Sequence, residues 1–199
     1  MKGNNDTHLL WDQIAVAEFI VDWADKYDIK ITNAKLSVVM YFLYAWYKNY
    51  TGEELFPASF LTYPEGPVEI CSKAFYAAFG GMSLRSRSQN KAADSLGKKS
   101  TYIEEFLEQN VEYLTKNYGL ISRYLKREDG PWRITLDDPK LRSVAGILFQ
   151  SDRKPIPGKL IAEKEKLIFY DQAALKKWIG ITQECPVNRQ SEIELELER

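Results

Sequence analysis

Few residues in this chain have both the type and the spacing that chemistry requires. His8 is the only histidine, and it lies in the polar stretch MKGNNDTHLLWDQ. One histidine rules out a multi-histidine metal site, and any Ser-His-Asp or Cys-His relay would depend on that single position. Cys71 and Cys185 stand alone, without the CxxC spacing of a zinc site or redox pair. The stretch LGKKS has the look of a P-loop ending. It lacks the upstream glycine and the GK[ST] order, so no phosphate cradle is expected. Carboxylates are plentiful but scattered, and no pair is set apart for acid–base work. The residues therefore predict no enzyme, no catalytic or metal-binding side chains and no cofactor.

The charge balance narrows the partners. Lys and Arg number 27 against 28 Asp and Glu, which offers no general attraction to nucleic acid or anionic lipid. The exception is local. Between Ser83 and Ser100 stand Arg85, Arg87, Lys91, Lys98 and Lys99 against Asp94 alone. No aromatic residue interleaves them for base stacking, so a solvated, mobile loop is the simpler reading. Within it, Arg85, Arg87, Lys98 and Lys99 are the candidate contacts to a partner. NYT at Asn49 matches a glycosylation sequon, but no apolar leader or cleavage site accompanies it. No run approaches about 18 uncharged apolar residues, so no membrane span is expected. Two unpatterned cysteines suit a reducing compartment. The expectation is a soluble, cytoplasmic protein.

The elements that must carry these residues are mostly helical. At 199 residues the chain suits one domain, long enough to bury roughly 70% of its unfolded surface. Ile14, Ala17, Val21 and Ala24 recur at helical spacing within a segment from about Trp11 to Tyr27. Thr32 is placed to cap a second helix from Asn33 to about Tyr50. Its stripe of Leu36, Val39, Met40, Leu43, Tyr44 and Tyr47 is backed by Val38, Phe42, Ala45 and Trp46, so it should be a buried central helix. Gly52 should end it. Gly66 and Pro67 read as a loop-to-helix entry with Pro67 at the first helical position. Val68, Cys71, Phe75 and Phe79 would then mark a third helix, stopped at Gly80 and Gly81. Thr101 and Glu104 form a capping box before a helix that buries Ile103, Phe106, Leu107, Val111 and Leu114 and ends at Gly119.

Another helix follows through LISRYLKRE, broken at Asp129–Pro131. WRITL then reads as a short strand. Asp138 and Pro139 would open a further helix over KLRSVAGILF, SDRKPIPG is a connector, and KLIAEKEKLIFY suggests a hairpin. A last short helix runs from an Asp171 cap to Gly180. The tail SEIELELER alternates Glu with Ile193, Leu195 and Leu197 at strand period. The fold class expected is mainly α (α+β), a compact helical domain with a small antiparallel β element in the C-terminal part. Residues 1–150 form the helical domain, and 151–199 an extension packed on it with an acidic tail.

Four of these stretches, in order, resemble the Panacea domain, the SocA-like antitoxin domain of prokaryotic and phage toxin–antitoxin operons. ITNAKLSVVMYFLYAWY matches at Leu36, Tyr41 and Trp46. GEELFPASFLTYPEGPV matches at Gly52, Leu55, Phe56, Gly66, Pro67 and Val68. NYGLIS matches at Tyr118 and Gly119, and YLKREDGPWRI at Leu125, Pro131 and Trp132. Together they span roughly Leu10 to Leu148. The chain departs from the family at Val38, where a lysine is usual, at Tyr63 and Glu65 around the glycine, and at Lys126 and Arg127 ahead of Pro-Trp. A tyrosine usual after Gly-Pro-Val is out of register, Tyr76 being the nearest.

The resemblance implies an antitoxin that neutralises a co-encoded protein toxin by stoichiometric binding. The matched residues Leu36, Tyr41, Trp46, Gly66, Pro67, Val68, Pro131 and Trp132 would then be scaffold. Two other classes remain open: a proteolytic adaptor using the acidic tail as a second docking surface, and a nucleic-acid-binding regulator using the basic loop. Whether the chain forms a homo-oligomer is also open.

Overall fold

The computed structural model describes residues 12–86, 101–139 and 153–165, and they are organised around one buried helix. That helix, α2 (Asn33–Thr51), follows α1 (Gln13–Lys26). From Leu36 to Trp46 every α2 residue is buried. A helix apolar all round can only be stable with neighbours on every side, and the remaining elements supply them.

Both helices begin and end as their sequences dictate. The Asp12 carboxylate accepts from the Ile14 N–H at 2.6 Å, and the Thr32 hydroxyl accepts from the Lys35 N–H at 3.4 Å. Each satisfies an amide that the helix itself cannot. Gly52 closes α2 in the left-handed region at φ 76°.

The hairpin comes next: β1 (Phe60–Tyr63) pairs antiparallel with β2 (Gly66–Glu69), Phe60 opposite Glu69 and Tyr63 opposite Gly66. This corrects the loop-to-helix reading of Gly66 and Pro67, since both lie in a strand. Proline is tolerated there for a specific reason. The N–H of Thr62, opposite Pro67, points away from β2 and donates to the Lys154 carbonyl at 2.9 Å. The pair is thus of the non-hydrogen-bonded kind, and the N–H that proline lacks is not needed. Gly66 is required twice over. Its φ is 149°, and a Cβ there would come within 3.1 Å of Leu125 Cδ2 and 3.7 Å of Val38 Cγ2.

Helix α3 (Ile70–Phe75) starts three residues later than expected, leaving Pro67 and Val68 in β2, and it is capped by Glu69, whose Oε2 accepts from Ser72 N–H at 2.6 Å. A 3₁₀ turn (Ala77–Phe79) follows, and Gly80 ends it. Helix α4 (Thr101–Lys116) takes Thr101 as its first residue rather than its cap, and buries Phe106, Leu107, Val111 and Leu114. Gly119 does not stop it. The break falls at Asn117, and Gly119 lies inside α5 (Tyr118–Leu125).

WRITL is not a strand but helix α6 (Pro131–Asp137), with Gly130 at the cap and Pro131 in the first turn. Trp132 and Thr135 are buried one helical turn apart, a spacing that fits the helix as well as the alternation fits a strand. The stretch read as a hairpin after SDRKPIPG begins as helix α7 (Gly158–Lys164).

The fold is therefore mainly α with a small antiparallel sheet, but among the described residues the sheet lies at 60–69 rather than in the C-terminal part. The expected helices over KLRSVAGILF and after Asp171, the alternating tail and most of the basic loop lie outside the described residues.

Residues 153–165 form a strap across this body. Pro155 bridges Leu61, and the Ile156 N–H donates to the Phe60 carbonyl at 2.8 Å, extending the hairpin by one irregular segment. Lys154 Nζ donates to the last carbonyls of α6, Leu136 O at 2.7 Å and Asp138 O at 2.6 Å. Helix α7 then packs on α2. No helix among the described residues is long and apolar enough to cross a membrane.

Candidate interaction surface

Most of the matched motif residues lie inside the molecule, while Gly52 and Gly119 are exposed. Leu36, Tyr41, Trp46, Gly66, Pro67, Pro131 and Trp132 are buried and Val68 is half-buried. They come from four separate stretches and meet. A Cβ on Gly66 would meet Leu125 and Val38. Tyr41 meets Phe60 edge-on, ring centroids 5.3 Å apart. The Trp132 indole N–H donates to the Tyr63 carbonyl at 2.9 Å, and Lys35 on α2 lies 5.2 Å from the Tyr118 ring. The buried positions among them hold the hairpin against α2.

Of the basic candidates, Arg85 is described. Its guanidinium is 63% exposed and pairs with Asp25 Oδ1 at 3.0 Å, while Asp25 Oδ2 accepts from the Ser86 N–H at 2.7 Å. Asp25 thus pins the start of the loop to the end of α1. Arg87, Lys98 and Lys99 lie outside the described residues.

What reaches solvent instead is apolar. From Ala74 to Leu84 the chain carries no charged side chain. In this run and just before it, Ile70 (41% exposed), Cys71, Ala74, Ala77, Ala78 and Met82 (65%) face out. Isolated exposed apolar residues are ordinary, whereas a contiguous set rimmed by polar residues marks an interaction site. The set is held in shape from beneath. Tyr76 is fully buried, the Asn33 side-chain amide donates to the Tyr76 and Gly80 carbonyls at 3.1 Å each, and the Leu84 N–H donates to the Ile31 carbonyl at 2.7 Å. The turn is thereby fastened to the start of α2 and the residues just before it. The sequence reading missed this surface by assigning the apolar residues of the segment to one continuous buried helix face.

The strongest electrostatic perturbation lies elsewhere, where the strap ends. The Glu165 carboxylate is completely buried. Its Oε1 accepts from the Tyr41 hydroxyl at 2.8 Å and its Oε2 from Arg127 Nη2 at 3.0 Å. Burial holds the Glu165 carboxyl above the ordinary carboxylate range, against the opposing pull of Arg127 and Tyr41. Burial, and then the neighbouring Glu165, push the Tyr41 hydroxyl well above its usual range. Arg127 also lies over the Tyr124 ring at 3.8 Å and donates to the Tyr124 and Lys164 carbonyls. Nothing in the sequence pairs Arg127 with Glu165. Apart from the partly exposed Arg127 this cluster is buried, and it fastens the strap.

Among the described residues no group of His, Cys, Asp or Glu is placed to hold a metal ion. No protein-family model matches the chain, and no curated protein or solved structure matches it.

Proposed function

We propose that the chain is a non-catalytic binding protein, an antitoxin of the Panacea kind that neutralises a co-encoded protein toxin by covering it. The observation that carries this reading is the convergence of the four motif stretches. Matched residues separated by up to about a hundred positions along the chain pack around one hairpin and one helix. Chance matches would be expected to scatter. The exposed apolar residues between Ile70 and Met82 offer a surface suited to a folded protein partner, with Lys73 among them and Arg85 just beyond. Mechanistically the partner is occluded and no bond is made or broken.

Met82→Glu tests the reading at that surface. Met82 is exposed, so the variant should melt within about 0.5 kcal/mol of the parent. It should also lose most of the co-purification with the product of the adjacent reading frame that the parent chain supports, because a charge in an interface centre is left desolvated. Undiminished co-purification would remove this face from the interface.

A further inference from the structure

Arg127 is shared by two carboxylates. Besides Glu165 Oε2 at 3.0 Å, its Nε lies 3.2 Å from Asp129 Oδ1. One cation therefore faces two acids, and the cluster carries an excess negative charge whenever both are ionised. The other groups around it do not redress the balance. Helix α2 contributes Tyr41 and the Asn49 amide, which donates to the Glu165 carbonyl at 2.6 Å, and α5 contributes Tyr124. On α6, Arg133 and Asp137 pair with each other at 2.6 Å, as do Lys159 and Glu163 on α7 at 3.7 Å. Lys164 meets the cluster through its carbonyl.

The two acids are unequal. The Asp129 side chain is 75% exposed, whereas that of Glu165 is 0% exposed. A proton entering the cluster relieves the buried group first. The geometry also tolerates it. With the proton on Oε1, the Tyr41 bond persists with donor and acceptor exchanged. Oε2 still accepts from Arg127, and Arg127 keeps Asp129 as its counter-charge.

We propose that Glu165 is a proton-operated latch: closing the strap over residues 153–165 takes up a proton at Glu165, so the strap is held more firmly as pH falls toward the ordinary carboxylate range. The sign follows from linkage. A carboxyl that titrates higher when closed than when open favours the closed form below its open-state midpoint, and loses that advantage as pH rises from there through its closed-state midpoint. Between the two midpoints the open-to-closed ratio rises about tenfold per pH unit.

Carboxyl ¹³C NMR of the full chain, with side-chain-labelled glutamate, tests this directly. One glutamate signal should titrate above the ordinary carboxylate range and be missing in Glu165→Gln. Should that variant not fold, Asp129→Asn carries the test alone, since Asp129 is at the surface. Removing the second acid should move the same midpoint to lower pH. A Glu165 midpoint at or below the ordinary range, or one that Asp129→Asn leaves in place, overturns the proposal.

Discussion

Arg127→Met is expected to destabilise the protein by about 3–5 kcal/mol at neutral pH, the usual consequence of leaving a buried carboxylate without its cation. Glu165 would keep only the Tyr41 hydroxyl on its carboxylate, and the Lys164 and Tyr124 carbonyls would lose their guanidinium donor. The loss should depend on pH in a defined direction. Arg127 lowers the Glu165 midpoint, so removing it raises that midpoint further above the ordinary value. A group with a raised folded-state pKa costs nothing below its ordinary value, and the cost grows as pH rises from there to the folded-state pKa. The deficit of the variant should therefore shrink as pH falls toward the ordinary carboxylate range. Urea melts at several pH values check this, and adding Glu165→Gln to Arg127→Met should recover much of the neutral-pH loss. A deficit independent of pH would mean that Arg127 acts by packing on Tyr124 alone.

Trp132→Ala should have an effect of similar size at the other end of the strap. Truncating a buried tryptophan typically costs about 3–5 kcal/mol through lost contacts and the cavity left behind. Here the Tyr63 carbonyl at the hairpin end also loses its indole donor. The variant should unfold at lower urea concentration, with partner binding lost only in proportion to unfolding. A Trp132→Ala protein that melts like the parent and yet fails to bind would relocate Trp132 from scaffold to interface.

These two residues mark where sequence reading succeeds and where it stops. Helix α1 is legible from its apolar residues at 3.6 spacing, and α2 because its Thr32 cap and its periodicity agree. The hairpin is not legible. Its strands are four residues each, and Gly66-Pro67 is better known as a helix entry. Only the neighbouring Lys154, far along the chain, shows why proline is harmless there. Trp132, Thr135 and Leu136 fit a helical period while Trp132, Ile134 and Leu136 alternate as in a strand, and the proline ahead of them tips the balance to a helix. Contacts such as Tyr41 to Glu165, 124 residues apart, leave no local trace at all. The apolar surface was legible in part, as a charge-free run from Ala74 to Leu84. Composition does not say which residues of such a run face outward.

Binding that silences a toxin has a direct readout in growing cells. The reading frame adjacent to this gene should be expressed from an inducible promoter, alone and together with this chain. The account predicts arrested growth when that product is made alone. Growth should be restored when the parent chain is co-expressed, with much weaker rescue by Met82→Glu at equal soluble level. Normal growth with the adjacent product alone, or arrest that persists although the parent chain is abundant and folded, would contradict it.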